Sequence, residues 1–135
     1  MRTAVFDTNI IVSGIISPSG PPGRILDGIL DGLYQPVISD AILAEYTEVL
    51  TRSKFDFSAR KITQVLDALC IQSVSPPFHP FPQFSALPDP DDAIFIEAAI
   101  ALNVPIITGN KRHYPSYLMG AIKVLSPIDF LSEVI

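Results

Sequence analysis

Short apolar runs alternate with amphipathic stretches along the whole chain. TAVF (3–6) is a β-like run that stops at Asp7. In GPPGRILDGILDGLY (20–34), Ile25, Leu26, Ile29, Leu30 and Leu33 recur at helical spacing behind a Pro-Gly lead-in, which predicts a helix. QPVIS (35–39) is a short β-branched run closed by Ser39 and Asp40, after which AILAEYTEVLTR (41–52) returns to the helical period. SARKITQVLDALC (58–70) predicts another helix and IQSVS (71–75) a strand. Beyond a Pro-rich connector come a helix in DDAIFIEAAIALN (91–103), strands in VPIITG (104–109) and AIKVLSP (121–127), and a terminal helix in IDFLSEVI (128–135). This alternation predicts an α/β fold, one domain over residues 1–135 with a parallel sheet of about five strands and helices on both faces.

Composition narrows the function classes. No apolar run approaches the roughly 20 residues of a membrane span, so no membrane association is expected. Asp7 and Asn9 break the first apolar run, leaving no secretory signal pattern, and a cytoplasmic protein is expected. The single Cys70 cannot form an internal disulfide, and its place in a helical pattern predicts a small core residue without a redox role. The connector (75–90) interleaves Pro76, Pro77, Pro80, Pro82 and Pro88 with Phe78, Phe81 and Phe84, which predicts an extended loop pinned to the domain by its aromatics. His79 within it is expected to be solvated. A net charge of −5 argues against unassisted nucleic-acid binding, because such binding rests on a basic surface. Any nucleic-acid function must therefore account for where the acids go.

They collect at one edge. In open parallel sheets ligands bind at the carboxyl ends of the strands. Asp7, Thr8 and Asn9 follow the first strand, Ser39 and Asp40 the second, and Thr108, Gly109 and Asn110 the strand in VPIITG. Each also has a local explanation as a helix cap or a turn residue. Ile42, Leu43, Tyr46, Val49 and Leu50 define a buried stripe on their helix. Glu45 falls roughly 100° from the centre of that stripe, on its border, whereas Glu48, at about 160°, faces water. In LPDPDD, Asp89 is a suitable N-cap with Pro90 at the first helical position, and Asp92 at the third can bond back to the cap. Three acids in four residues exceed what capping needs, and their mutual repulsion calls for a cation.

Asp7, Glu45 and Asp92 can converge from three separate elements. Oxygen donors of this kind select hard cations such as Mg²⁺ or Mn²⁺, and no Cys/His cluster, Walker-type loop or nucleophile elbow offers another chemistry. What remains is metal-assisted chemistry on a phosphate.

VFDTNIIVSGI with Asp7, ISDAILAEYTEVL with Glu45, LPDPDDAIFIEAAIALN with Asp92, and VPIITGNKRHYP, in that order, give the chain a whole-length resemblance to the PIN-domain ribonucleases. It resembles in particular the VapC-like toxins of bacterial type II toxin-antitoxin pairs. The resemblance implies a twisted parallel sheet and a Mg²⁺- or Mn²⁺-dependent endoribonuclease. Asp7, Glu45 and Asp92 would be its catalytic metal ligands, and the neighbouring Asp91 the competing candidate for the third position. It also implies a homodimer, an RNA substrate and a small antitoxin partner. Thr8, Asn9, Ser39, Thr108 and Asn110 would support the site, and Lys111, Arg112 and His113 would contact RNA. The chain departs from the fullest family pattern at Asn110 and His113, where many members carry acids, so Asn110 is expected as a neutral oxygen ligand or a hydrogen-bond partner of coordinated water.

Two alternatives stay open on sequence. One is a PIN-fold RNA- or protein-binding module with weak or no catalysis, supported by Asn110. The other is a phosphoryl-transfer domain of dehalogenase or receiver type, which also places an Asp after the first strand. DTN lacks the second Asp of the D-x-D signature.

Overall fold

The computed structural model describes residues 1–133. Its four strands are β1 (Arg2–Phe6), β2 (Tyr34–Pro36), β3 (Ile106–Ile107) and β4 (Val124–Leu125), in the order β2-β1-β3-β4 with every pair parallel. The expected strand in 71–75 is reduced to one parallel bridge, Val37 to Val74, because the preceding helix runs on to Gln72 and consumes the first half of the segment.

Seven helices connect and cover the strands: α1 (Thr8–Ile16), α2 (Pro21–Leu30), α3 (Asp40–Leu50), α4 (Ala59–Gln72), α5 (Ala93–Leu102), α6 (Ser116–Met119) and α7 (Pro127–Ser132). Ser39 and Ser58 cap α3 and α4 by accepting from the amides of Ile42 and Lys61, as capping chemistry demands. α2 ends at Leu30, so Leu33, expected on its apolar stripe, lies exposed in the following turn, where Gly32 adopts φ +77°. Of the predicted terminal helix, Val134 and Ile135 lie outside the described residues. No described helix is long and apolar enough to cross a membrane.

The core binds these elements into one body. Phe130 of α7 sits edge-on against Phe6 of β1 at 5.7 Å, and Tyr46 of α3 stacks with Phe95 of α5 at 6.4 Å. Gly28 is required by packing, since a Cβ there would meet the Tyr34 ring at 2.3 Å. Cys70 is exposed rather than in the core, because α4 buries the face defined by Val65 and Leu69 instead. The connector is pinned by Phe81 and Leu87, while Phe78 and Phe84 remain exposed.

Candidate active site

Strand register builds the centre of the site. Phe6 pairs with Ile107, so the residues that follow, Asp7 and Thr108, emerge side by side at the carboxyl edge of the sheet. The Asp7 amide continues the ladder by donating to the Ile107 carbonyl at 2.9 Å. Both side chains are buried, and the Thr108 hydroxyl donates to Asp7 Oδ2 at 2.9 Å. Asn9 adds a weaker donation from Nδ2 to the same oxygen at 3.3 Å. The orientation of that amide is fixed because its Oδ1 accepts from the Gly109 amide at 3.0 Å. A Cβ at position 109 would press on Asn9 Oδ1 at 3.3 Å, so glycine permits this close approach.

A third donor was not foreseen from the sequence. The Tyr114 hydroxyl donates to Asp7 Oδ2 at 3.0 Å from a nearly fully buried ring. Burial, followed by the nearby Asp7 charge, pushes the Tyr114 phenol well above its ordinary range, so it is a permanent donor. Tyr46 is also engaged, donating its hydroxyl to the Phe6 carbonyl just before Asp7. Its phenol is raised by burial and then by Asp7. A buried tyrosine must find an acceptor, but nothing in the local pattern around Tyr46 or Tyr114 says which one.

Asp92 is the second buried carboxylate. Asp89 caps the short 3₁₀ turn Pro90–Asp92 by accepting from the Asp91 amide at 3.0 Å. Asp92 is thereby released from the capping role that its position allowed. Its Oδ2 lies 2.9 Å from His113 Nδ1. Burial first, then the charges of Asp7 and Asp89, push the Asp92 carboxyl up to about 7, against the opposing pull of His113. Asp91, one residue earlier, is exposed. Glu45 is half-buried on α3, as its helical phase predicts, and Glu48 is exposed. The Glu45 carboxyl is raised by burial, by Glu48 and more weakly by Asp91 and Asp7, with Arg52 opposing.

The remaining predicted residues are placed differently. Ser39 caps its own helix and lines a separate cleft of about 490 Å³ with Asp40, Phe78, His79 and Glu97, rather than joining the Asp7 network. The Asn110 side chain caps the 3₁₀ turn Lys111–His113 by accepting from the Arg112 amide at 3.3 Å, while the Asn110 backbone N–H donates to Thr108 Oγ1 at 3.1 Å. Lys111 is exposed and pairs with Asp129 at 3.4 Å, and Arg112 is exposed. His113, expected to face RNA, instead has one ring nitrogen committed to Asp92. The Thr8 hydroxyl is buried with no hydrogen-bond partner.

These donors fit Mg²⁺ or Mn²⁺ better than a metal that needs a closed protein cage. Among the described residues no three of His, Cys, Asp and Glu stand close enough to grip one ion together. Mg²⁺ retains several waters and takes one or two carboxylates plus phosphate oxygens, so a partly open all-oxygen set suits it. The orphaned Thr8 hydroxyl beside Asp7 is a further polar atom that lacks a protein partner.

Comparison with known proteins gives the same architecture. The chain is 34% identical to the uncharacterized protein MJ1680 of Methanocaldococcus jannaschii, over 96% of this chain and 89% of that protein. Its fold is similar to that in the structure of VapBC2 from Rickettsia felis bound to a promoter DNA fragment, with a TM-score of 0.62 at 16% identity over 93% of this chain and 98% of the other. It is also similar to that in VapBC-1 from nontypeable Haemophilus influenzae, with a TM-score of 0.57 at 16% identity over 94% and 99%. The model of the PIN domain family matches residues 3–112, a span that carries Asp7, Glu45, Asp92 and Thr108 together, and the chain belongs to that family.

Proposed function

We propose that this protein is a divalent-metal-dependent endoribonuclease that hydrolyses RNA phosphodiester bonds. In this reading it is the toxin of a toxin-antitoxin pair, a cytoplasmic homodimer held in check by a small antitoxin. One observation supports the catalytic part: the Asp7 charge raises the carboxyls of both Asp92 and Glu45, and among the described residues no Lys or Arg is ion-paired with Asp7 or Asp92. Buried carboxylates that repel one another and lack a Lys or Arg ion pair would be balanced by a bound cation. The antitoxin part is supported by the similar folds, which come from VapBC complexes and from a structure of FitAB bound to a DNA fragment. Membership of the PIN family removes the ground for a dehalogenase- or receiver-type reading.

Asp7 and Asp92 would hold Mg²⁺ or Mn²⁺, with Glu45 as a further carboxylate beside them. When bound, the ion supplies charge that stabilises the oxygens of the reacting phosphate and lowers the pKa of water. Asp7 presents a carboxylate whose orientation is fixed by Thr108, Tyr114 and Asn9. His113 Nδ1, 2.9 Å from Oδ2, would orient the Asp92 carboxyl. Lys111 and Arg112, exposed on the turn that follows β3, would contact phosphates and hold the strand without reading its bases.

Cleavage of a labelled single-stranded RNA with Mn²⁺, with EDTA, and with Asp7→Asn tests this reading. Cleavage is expected only with parent protein and metal; cutting in EDTA or by Asp7→Asn overturns it. A second reading, a PIN-fold RNA- or protein-binding module with weak or no catalysis, is favoured by the absence of a ready three-ligand group among the described residues. RNA retention without cleavage at saturating Mn²⁺ would select it.

A further inference from the structure

Asp7 stands at the N-cap position of α1, where a carboxylate ordinarily accepts from the helix's own free amides. It makes no such bond. The side chain is turned to the residues after β3 instead, and every donor on it converges on Oδ2: Thr108 at 2.9 Å, Tyr114 at 3.0 Å and Asn9 at 3.3 Å. No described residue donates to Oδ1. A carboxylate that forgoes a cap bond and has one oxygen saturated has its other oxygen set at a fixed angle.

Two of the three donors come from the site's own polar cluster. Tyr114 comes from further along the chain. Asn110 caps the turn Lys111–His113, the Tyr114 amide closes that turn on the Lys111 carbonyl at 3.0 Å, and Pro115 follows, so the ring is delivered inward by a short constrained segment. The ring is held by packing and its hydroxyl by Asp7 alone. We propose that Tyr114 is a positioning residue of the metal site: with Thr108 it fastens Oδ2 of Asp7, so that the carboxylate offers a divalent cation Oδ1 only. This rests on the proposed metal-dependent function and assigns it a residue outside the acidic set.

The test is Mn²⁺ binding to the protein of residues 1–135 without RNA, followed by calorimetry or by the loss of the free-ion EPR signal. Tyr114→Phe keeps the ring and its packing and removes the hydroxyl. It is expected to weaken Mn²⁺ binding by about tenfold, the usual scale for removing a partner that orients a ligand, with the metal-free near-UV spectrum unchanged. Thr108→Val is expected to weaken binding in the same direction. In RNA cleavage the concentration of Mn²⁺ at half-maximal rate should rise, while KM for RNA at saturating metal stays constant. Equal Mn²⁺ affinity in parent and Tyr114→Phe, with the parent binding, overturns the role of Tyr114 and leaves the proposed function standing. A parent protein that binds no Mn²⁺ overturns both.

Discussion

His113 Nδ1 and Asp92 Oδ2 lie 2.9 Å apart, joining the turn after β3 to the start of α5 across 21 positions of sequence. The partnership does not offset the cost of placing Asp92 where it is, since burial and the Asp7 charge still hold its carboxyl at about 7 against an ordinary 3.8. Ionising Asp92 therefore destabilises the metal-free fold. Below pH 3.8 the group is protonated in both folded and unfolded chains and costs nothing; above about 7 it is ionised in both and the full cost is present. Stability of the protein in EDTA should fall as pH rises between those limits. Asp92→Asn removes the titration, so it should be the more stable protein at pH 8, by at most about 4 kcal/mol at 1.36 kcal/mol per unit, and should lose that advantage towards pH 4. Urea unfolding at several pH values measures the difference. A gain that does not change with pH would mean that repulsion at Asp92 is not its source.

Asp91 and Asp92 differ in what surrounds them. Asp91 is exposed and its amide is used by the Asp89 cap, whereas Asp92 is buried beside His113. Asp91→Asn should leave the cleavage rate within about twofold, and Asp92→Asn should lower it more than about a hundredfold, through loss of a charged ligand. Rates on a labelled RNA at saturating Mn²⁺ compare them directly. A large loss in Asp91→Asn would show that the two exchange places when metal binds.

Periodicity reached the order of strands and helices because each is signalled locally, by apolar spacing and by caps such as Ser39 and Ser58. It also placed Glu45 on the border of its helix's buried face. It missed α1, where Ile10, Ile11 and Val12 are all buried and the apolar run shows no amphipathic rhythm. It over-read 71–75, where β-branched residues sit at the end of a helix that keeps going. Within the site, helix-cap chemistry separates Asp89 from Asp92, but the partners of Asp7 depend on register between β1 and β3. That register is a long-range property, and it alone brings Thr108, and beyond it Tyr114, to a carboxylate about a hundred residues earlier.

Asn110→Asp tests whether position 110 reaches the cation. The Asn110 side chain is folded onto its own turn at Arg112, and an aspartate caps such a turn equally well. The Mg²⁺ concentration giving half-maximal rate should therefore stay within about twofold of the parent value. A large decrease would mean that the new carboxylate has left the turn and joined the coordination sphere, as an added oxygen ligand strengthens a hard-cation site.

Under the proposed function, Lys111 and Arg112 are the side chains expected to hold RNA phosphates. The chain carries nine Lys and Arg against fourteen acids, so attraction has to be local. Lys111 is bound only by a 3.4 Å contact to Asp129 between two side chains that are each about half exposed, a pair too weak to withhold it from a phosphate. Replacing Lys111 and Arg112 together by Ala should weaken binding to every RNA tested. Each lost phosphate contact releases roughly 0.7 fewer counterions on a single strand, so the slope of log affinity against log salt should shrink by about 1.4. Cut-site preference should not change, because phosphate contacts carry no sequence information. The measurement is a salt titration of binding with Asp7→Asn as the common background, which prevents cleavage during the experiment. An unchanged slope would make Lys111–His113 a solvated turn. It would move the RNA path to Lys54, Arg60 and Lys61, with Arg52 beside them already engaged by Glu48 at 2.7 Å.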